Sequence, residues 1–165
     1  MQNQPRSQIA YNAIILLPVD FKVLKIGIHT KSGALADIDF LPSNTSCKKA
    51  DNNTAQQVVD QLTAYFKNAR VDFDVPLLTQ GTDFQQKVWQ ALQTIPSGQT
   101  CNYADIAKRL NSSARAVGNA CRANAIPIII PCHRVVVKKG VGGYCGQTNG
   151  ERVQIKQWLL QYERA

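Results

Sequence analysis

Ile126-Pro127-Ile128-Ile129-Ile130-Pro131-Cys132-His133-Arg134-Val135-Val136-Val137 is an apolar run broken by one thiol, one imidazole and one guanidinium. The β-branched residues on both sides predict extended, packed flanks. Pro127 and Pro131 each lack an amide donor and push the preceding residue out of helical space. The Pro-Cys-His-Arg step is therefore expected to be a tight corner in the core. In a regular strand Cys132 and His133 would point to opposite faces, so the imidazole can act on the sulfur only if the chain turns there or a water bridges them. The chemical motive is clear. A free thiol with a pKa of about 8.5 is only a few per cent thiolate at neutral pH, and a neighbouring base or cation lowers that value. His133 and Arg134 are the local candidates. An arbitrary Cys-His pair is more often a small buried hydrophobe beside a satisfied core histidine, so the rest of the chain has to decide.

At 165 residues the chain can bury a real core, and 44% hydrophobic content makes it globular rather than disordered. The net charge of +8 is unevenly spread. Residues 1–80 carry eight Lys/Arg against seven Asp/Glu, and residues 81–165 carry eleven against four, which is +1 and +7. A basic half beside a near-neutral one points to a polyanion, most often nucleic acid. The five cysteines, Cys47, Cys101, Cys121, Cys132 and Cys145, are odd in number and contain no CxxC. Neither a disulfide framework nor a structural zinc site is expected. The apolar run Ala13 to Leu17 is too short for a signal peptide and nothing approaches a membrane span. The expected location is a reducing cytoplasm.

Residues 9–17, 22–29 and 34–40 read as strands, with Leu24, Ile26 and Ile28 facing in and Lys25, Gly27 and His29 on a wet face. Residues 54–67 place Val58, Val59, Leu62, Tyr65 and Phe66 at helical spacing, with Asn53 as the cap. This half reads as a scaffold of sheet plus helix. Asp72 to Gly81 is the linker candidate, giving expected domains of 1–78 and 79–165.

The second half opens on Thr82-Asp83-Phe84-Gln85, a capping box, and Phe84, Val88, Leu92 and Ile95 then form one stripe with Trp89 at its edge. Asn102 is expected to cap a helix from Tyr103 to Leu110. A second helix, Ala114 to Ala123, follows the Asn111-Ser112-Ser113 turn. Two short helices around a tight turn are a helix-turn-helix signature, and the second carries small residues with Arg115 and Arg122 as its cations. Lys138-Lys139-Gly140 reads as a basic turn and Gly142 to Gly146 as a loop. Asn149 is expected to cap a last helix burying Ile155, Trp158, Leu159 and Tyr162.

Pro131-Cys132-His133-Arg134-Val135 after an Ile/Pro run resembles the acceptor-cysteine motif of the O6-alkylguanine-DNA alkyltransferases. These proteins move an alkyl group from guanine in DNA onto their own cysteine. The resemblance implies a ribonuclease H-like α/β N-terminal domain. It also implies a mostly helical, winged-helix-like C-terminal domain, with the recognition helix entering the minor groove. It names Cys132, His133, Glu163 and Tyr103 as the catalytic set. Arg115-Ala116-Val117-Gly118 matches the arginine finger that fills the space of an extruded nucleotide, and Tyr103 the tyrosine that rotates it out. The implied DNA-binding set is Arg115, Ala116, Gly118, Arg122 and Asn124, with Asn124 also tying the recognition helix to the active-site corner. Val135, Tyr144 and Cys145 frame the substrate pocket. Two departures from the family pattern stand out: the Leu110 to Arg115 turn is short and lacks Gly-x-Pro, and the Tyr144 to Trp158 segment is longer than usual, with Cys145 where several relatives have serine.

The implied chemistry is direct reversal of damage. A soft nucleophile attacks the alkyl carbon on guanine O6, with O4-alkylthymine as a second candidate lesion, after the base is flipped out of the stack. His133 takes the thiol proton through water, and Glu163 orients the imidazole. The thioether product is stable, so each molecule acts once, as a monomer on double-stranded DNA and with no metal or organic cofactor. The alternative is a non-catalytic lesion binder or alkylation sensor on the same fold. A cysteine hydrolase is a further rival, in which adjacent nucleophile and base would be unusual.

Overall fold

The computed structural model describes residues 9–18 and 24–165. Residues 22 and 23, which the sequence reading placed at the start of a strand, lie outside the described residues. Three antiparallel strands, β1 (Ala13–Leu17), β2 (Leu24–Lys31) and β3 (Ala34–Leu41), form a sheet in the order β1-β2-β3. Helix α1 (Asn53–Tyr65) covers one face. Val58 and Leu62 of α1 and Leu24, Ile26 and Ile28 of β2 belong to one buried cluster. The opposite face is not uniformly wet. Gly27 is buried, and a Cβ there would come within 2.6 Å of the Tyr11 ring and 2.9 Å of Leu41, so only glycine permits this closure. The α1 cap is Asn52 rather than Asn53, its side chain accepting from the Ala55 amide at 2.8 Å.

The expected linker is pinned to the sheet. Leu77 bridges to Leu35, with the Leu35 amide donating to the Pro76 carbonyl and the Leu78 amide to the Leu35 carbonyl, both at 2.8 Å. Backbone donors that would be free in a mobile tether are consumed here. Further along β3, the Ile38 amide donates to the Ala125 carbonyl at 2.9 Å, joining the two halves directly beside the Ile126 run.

The rest is helical: α2 (Asp83–Gln93), α3 (Tyr103–Arg109), α4 (Ala114–Arg122) and α5 (Glu151–Arg164). A short parallel pair, β4 (Cys101–Asn102) and β5 (Val135–Val136), ties the segment before α3 to the end of the cysteine corner. The capping box at Thr82 and Gln85 forms as read. Trp89, read as core at the edge of its stripe, is buried, and its indole N–H donates to the Ala120 carbonyl at 2.9 Å, fixing α2 against α4.

Two expected caps fail. Asn102 occupies the N-cap of α3 but its side chain donates to Asp105 Oδ2 at 3.3 Å instead of accepting a helix amide. The α5 cap is Gly150, at φ 80°, not Asn149. A left-handed φ favours glycine at that position over any side-chain cap.

Candidate active site

The Ile126 to Pro131 flank is not extended. The Ile130 amide donates back to the Ile126 carbonyl at 2.9 Å, closing a turn, and Ile128 sits at φ 75°. A β-branched residue in that region is strained by about 1–3 kcal/mol and is tolerated only where its surroundings hold it. The coil delivers Cys132 into a single 3-10 turn, Cys132–Arg134, in which the Cys132 amide donates to the Ile130 carbonyl at 2.8 Å and the Arg134 amide to the Pro131 carbonyl at 3.0 Å. The predicted corner is therefore present, built by turns on its N-terminal side and by β5 on its C-terminal side. It is buried, with Cys132 4%, His133 0% and Arg134 9% exposed.

Asn124 locks the corner. Its side-chain oxygen accepts from the Ile126 amide at 3.0 Å, while its amide nitrogen donates to the Ile130 carbonyl at 2.9 Å and to Cys132 Sγ at 3.2 Å. The sequence reading grouped Asn124 with the DNA-contacting residues. The same reading also had it tie the recognition helix to the active-site corner, and it is buried with its side-chain amide bonded to the sulfur.

His133 and Arg134 converge on Glu163 near the end of α5. His133 Nε2 lies 2.8 Å from Glu163 Oε1, and Arg134 donates from NH2 to Oε1 at 2.8 Å and from Nε to Oε2 at 3.0 Å. Arg134 NH1 also donates to the Ile95 carbonyl at 2.6 Å. The Gly98 amide reaches Oε2 at 3.4 Å; Gly98 has φ 82°, and a Cβ there would lie 2.8 Å from the Glu163 carbonyl oxygen. Burial alone would push the Glu163 carboxyl up, but the donors on His133 and Arg134 outweigh it and hold the group well below the usual carboxylate range.

An ionised Glu163 fixes the imidazole tautomer. Nε2 must donate to the carboxylate, leaving Nδ1 as the basic nitrogen, and Nδ1 is buried with no hydrogen-bond partner among the described residues. Burial lowers the His133 pKa, against the pull of Glu163, and keeps the ring neutral. Burial also raises the Cys132 pKa, opposed by the Asn124 hydrogen bond and by the nearby charge of Lys156. The resting pair is thus a thiol and a neutral base.

Lys156 was not identified from the sequence. It is 0% exposed, and its ammonium donates to the Val135 carbonyl at 2.6 Å and the Gly143 carbonyl at 2.9 Å, 5.8 Å from the centre of the Tyr103 ring. Burial brings its pKa down to about 8. The signal was in the sequence: Lys156, Leu160 and Glu163 share one face of α5, on which the reading had singled out Glu163 but not Lys156.

A cavity of about 180 Å³ opens above the sulfur. Tyr103, Gly118, Cys121, Cys132, Tyr144 and Cys145 line it, with Arg122 at its wall. The reading gave Tyr144, Cys145 and the backbone around Val135 as the frame of the pocket; Tyr144 and Cys145 are among the residues that line the cavity, and Val135 is not. Its side chain is buried, and its carbonyl is taken by Lys156. Burial raises the Cys121 thiol to about 12 and holds the Tyr103 phenol well above its ordinary value, so both are neutral. Arg115 is exposed on α4, Ala116 and Gly118 are half-buried, and Arg122 is exposed. Among the described residues no cluster of His, Cys, Asp and Glu could hold a metal ion, and no helix is long and apolar enough to cross a membrane.

Residues 83–165 match the model of the 6-O-methylguanine DNA methyltransferase DNA binding domain, and residues 28–79 that of the ribonuclease-like domain of the same proteins. The constitutive methylated-DNA-protein-cysteine methyltransferase of Bacillus subtilis is 44% identical over 124 residues, 73% of this chain and 72% of the relative. Its counterpart in Archaeoglobus fulgidus is 38% identical over 134 residues, 79% and 87% of the two chains. Among solved structures, the Mycobacterium tuberculosis O6-methylguanine methyltransferase superposes with a TM-score of 0.70 at 35% identity, covering 90% of each chain. The same organism's protein in complex with DNA gives 0.67 at 35%, covering 92% of each. On the matched domains, the shared length and the fold, the chain belongs to the 6-O-methylguanine DNA methyltransferase family.

Proposed function

We propose that Cys132 is the acceptor through which this chain repairs DNA, taking the alkyl group from O6-alkylguanine in a single irreversible turnover. The observation that carries the assignment is the environment of the sulfur: it floors the cavity beside a buried neutral imidazole backed by an ionised carboxylate. A purely lesion-reading protein has no use for such a relay, which weighs against the non-catalytic alternative.

The residues divide the work as follows. His133 Nδ1 takes the Cys132 proton through a bridging water, and the resulting imidazolium is stabilised by Glu163. The Asn124 amide and the Lys156 ammonium favour the thiolate as it forms. The thiolate attacks the alkyl carbon, the carbon–O6 bond breaks, and a sulfur–carbon bond replaces it. The departing guanine anion accepts a hydrogen bond from the neutral Tyr103 phenol, and the proton taken up by His133 passes to it through water, so that thiol and O6-alkylguanine become thioether and guanine and the imidazole is neutral again. The thioether has no bond that water readily breaks, so the stoichiometry is one alkyl group per chain.

The base must leave the stack to reach a buried sulfur. Helices α3 and α4 around the Asn111-Ser112-Ser113 turn are read as the helix-turn-helix, with α4 lying along the minor groove. Ser113 Oγ accepts from the Ala116 amide at 3.2 Å, capping α4 just ahead of exposed Arg115. Arg115 is the finger that occupies the vacated stack, and Ala116 and Gly118 permit close approach. Residues 1–78 act as the scaffold and 79–165 as the DNA-binding and acceptor part. Cys132→Ser tests the assignment: it is expected to keep binding to a lesion-containing duplex and to lose alkyl transfer, and retained transfer would move the acceptor elsewhere.

A further inference from the structure

The half of the chain read as scaffold contributes a side chain to the relay. Tyr65, at the end of α1, is fully buried, and its hydroxyl donates to Glu163 Oε1 at 2.7 Å, the same oxygen that faces His133 Nε2 and Arg134 NH2. The ring is held independently of that bond. Phe66, Phe73 and Tyr162 surround it at centroid distances of 5.2, 5.3 and 5.7 Å, and the Tyr162 hydroxyl donates to the Tyr65 carbonyl at 2.6 Å. The hydroxyl is therefore separable from the packing. Burial and the adjacent Glu163 charge hold the phenol well above its ordinary range, so it stays a donor at every pH at which the protein works.

A hydrogen bond to one oxygen of a carboxylate takes up part of the charge available to its other partners. We propose that Tyr65 is a positioning residue of the proton relay, limiting how strongly Glu163 stabilises protonated His133 and so keeping Nδ1 free to accept the thiol proton. The proposal rests on the reading in which Cys132 reacts through His133. The groups facing the pair are Tyr65 from α1, the Gly98 amide after α2, Arg134 and Cys132 from the corner, and Lys156 and Tyr162 from α5.

The test is the single-turnover rate of alkyl transfer against pH. Tyr65→Phe leaves Glu163 with fewer donors, raises the proton affinity of His133, and is expected to move the acid limb upward by about one pH unit while sparing the alkaline plateau. Replacing the Tyr65 ring by 3-fluorotyrosine, a stronger donor of nearly the same shape, is expected to move the limb downward, and it decides the matter if the phenylalanine variant folds poorly. Profiles that superimpose on the wild type, or a loss equal at every pH, overturn the role of Tyr65. A wild-type protein that gains no alkyl group on Cys132 would instead overturn the reading beneath it.

Discussion

The Asn124 side-chain amide donates to Cys132 Sγ at 3.2 Å while the same side chain bridges both ends of the turn that delivers the cysteine. One residue therefore sets both the position of the sulfur and part of its acidity.

Asn124→Ala removes a donor that favours the thiolate, so the thiol pKa rises further and transfer slows at neutral pH. A hydrogen bond to a charged group is worth roughly 1.5–3 kcal/mol, which corresponds to about 10- to 100-fold in rate. Single-turnover kinetics at pH 7 and at pH 9 check this. The deficit should shrink at the higher pH, where bulk base supplies the thiolate.

Glu163→Gln leaves Arg134 buried without its counter-charge. Breaking a buried pair in this way costs roughly 3–5 kcal/mol, measurable by denaturant unfolding. In the wild type the folded Glu163 pKa lies below its unfolded value of about 4.3. Its contribution is thus fully present above that value and is lost as pH falls through the folded one, so the Gln variant should lack this part of the acid destabilisation.

Lys156 gives a slope of the same sign at higher pH, because a buried charge that costs stability is relieved there. Its folded pKa of about 8 lies below the unfolded value of about 10.4, so the unfolded chain binds more protons between them and stability should rise with pH across that window. Lys156→Met, tested by thermal melting from pH 7 to pH 10, should flatten the rise.

Arg115→Ala should slow repair of a lesion in duplex DNA far more than reaction with a free O6-alkylguanine base, because Arg115 is exposed on α4 and far from the needs of the sulfur chemistry. Equal losses on both substrates would remove the finger role. Affinity for duplex should also fall with salt, with a slope of about −0.9 in log K against log[salt] for each phosphate neutralised.

The sequence disclosed the parts whose signals are local. The capping box at Thr82 and Gln85, the α4 span and the corner at Cys132 follow from turn chemistry and apolar period, and all are present. The Ile126 to Ile130 run was misread as extended because β-branched residues favour strands. Here a tertiary turn held by Asn124 overrides that preference. Asn102 and Asn149 were good caps in isolation that lost to Asp105 and to a left-handed glycine. Tyr65 left no signal at all, since its partner is Glu163, remote in sequence, and a buried tyrosine at helical spacing reads as core. Lys156 was legible on the face it shares with Glu163, but a lysine on a helix is ordinarily solvated.

The central claim is that Cys132 takes one alkyl group and keeps it. Incubating the purified protein with a duplex bearing a single O6-methylguanine, measuring intact mass and mapping the modified peptide tests it directly. The account predicts the gain of one methyl group, located on Cys132 and saturating at about one per chain. Tight binding to the lesion with no change in mass, or a methyl group on Cys121 or Cys145 instead, would contradict it.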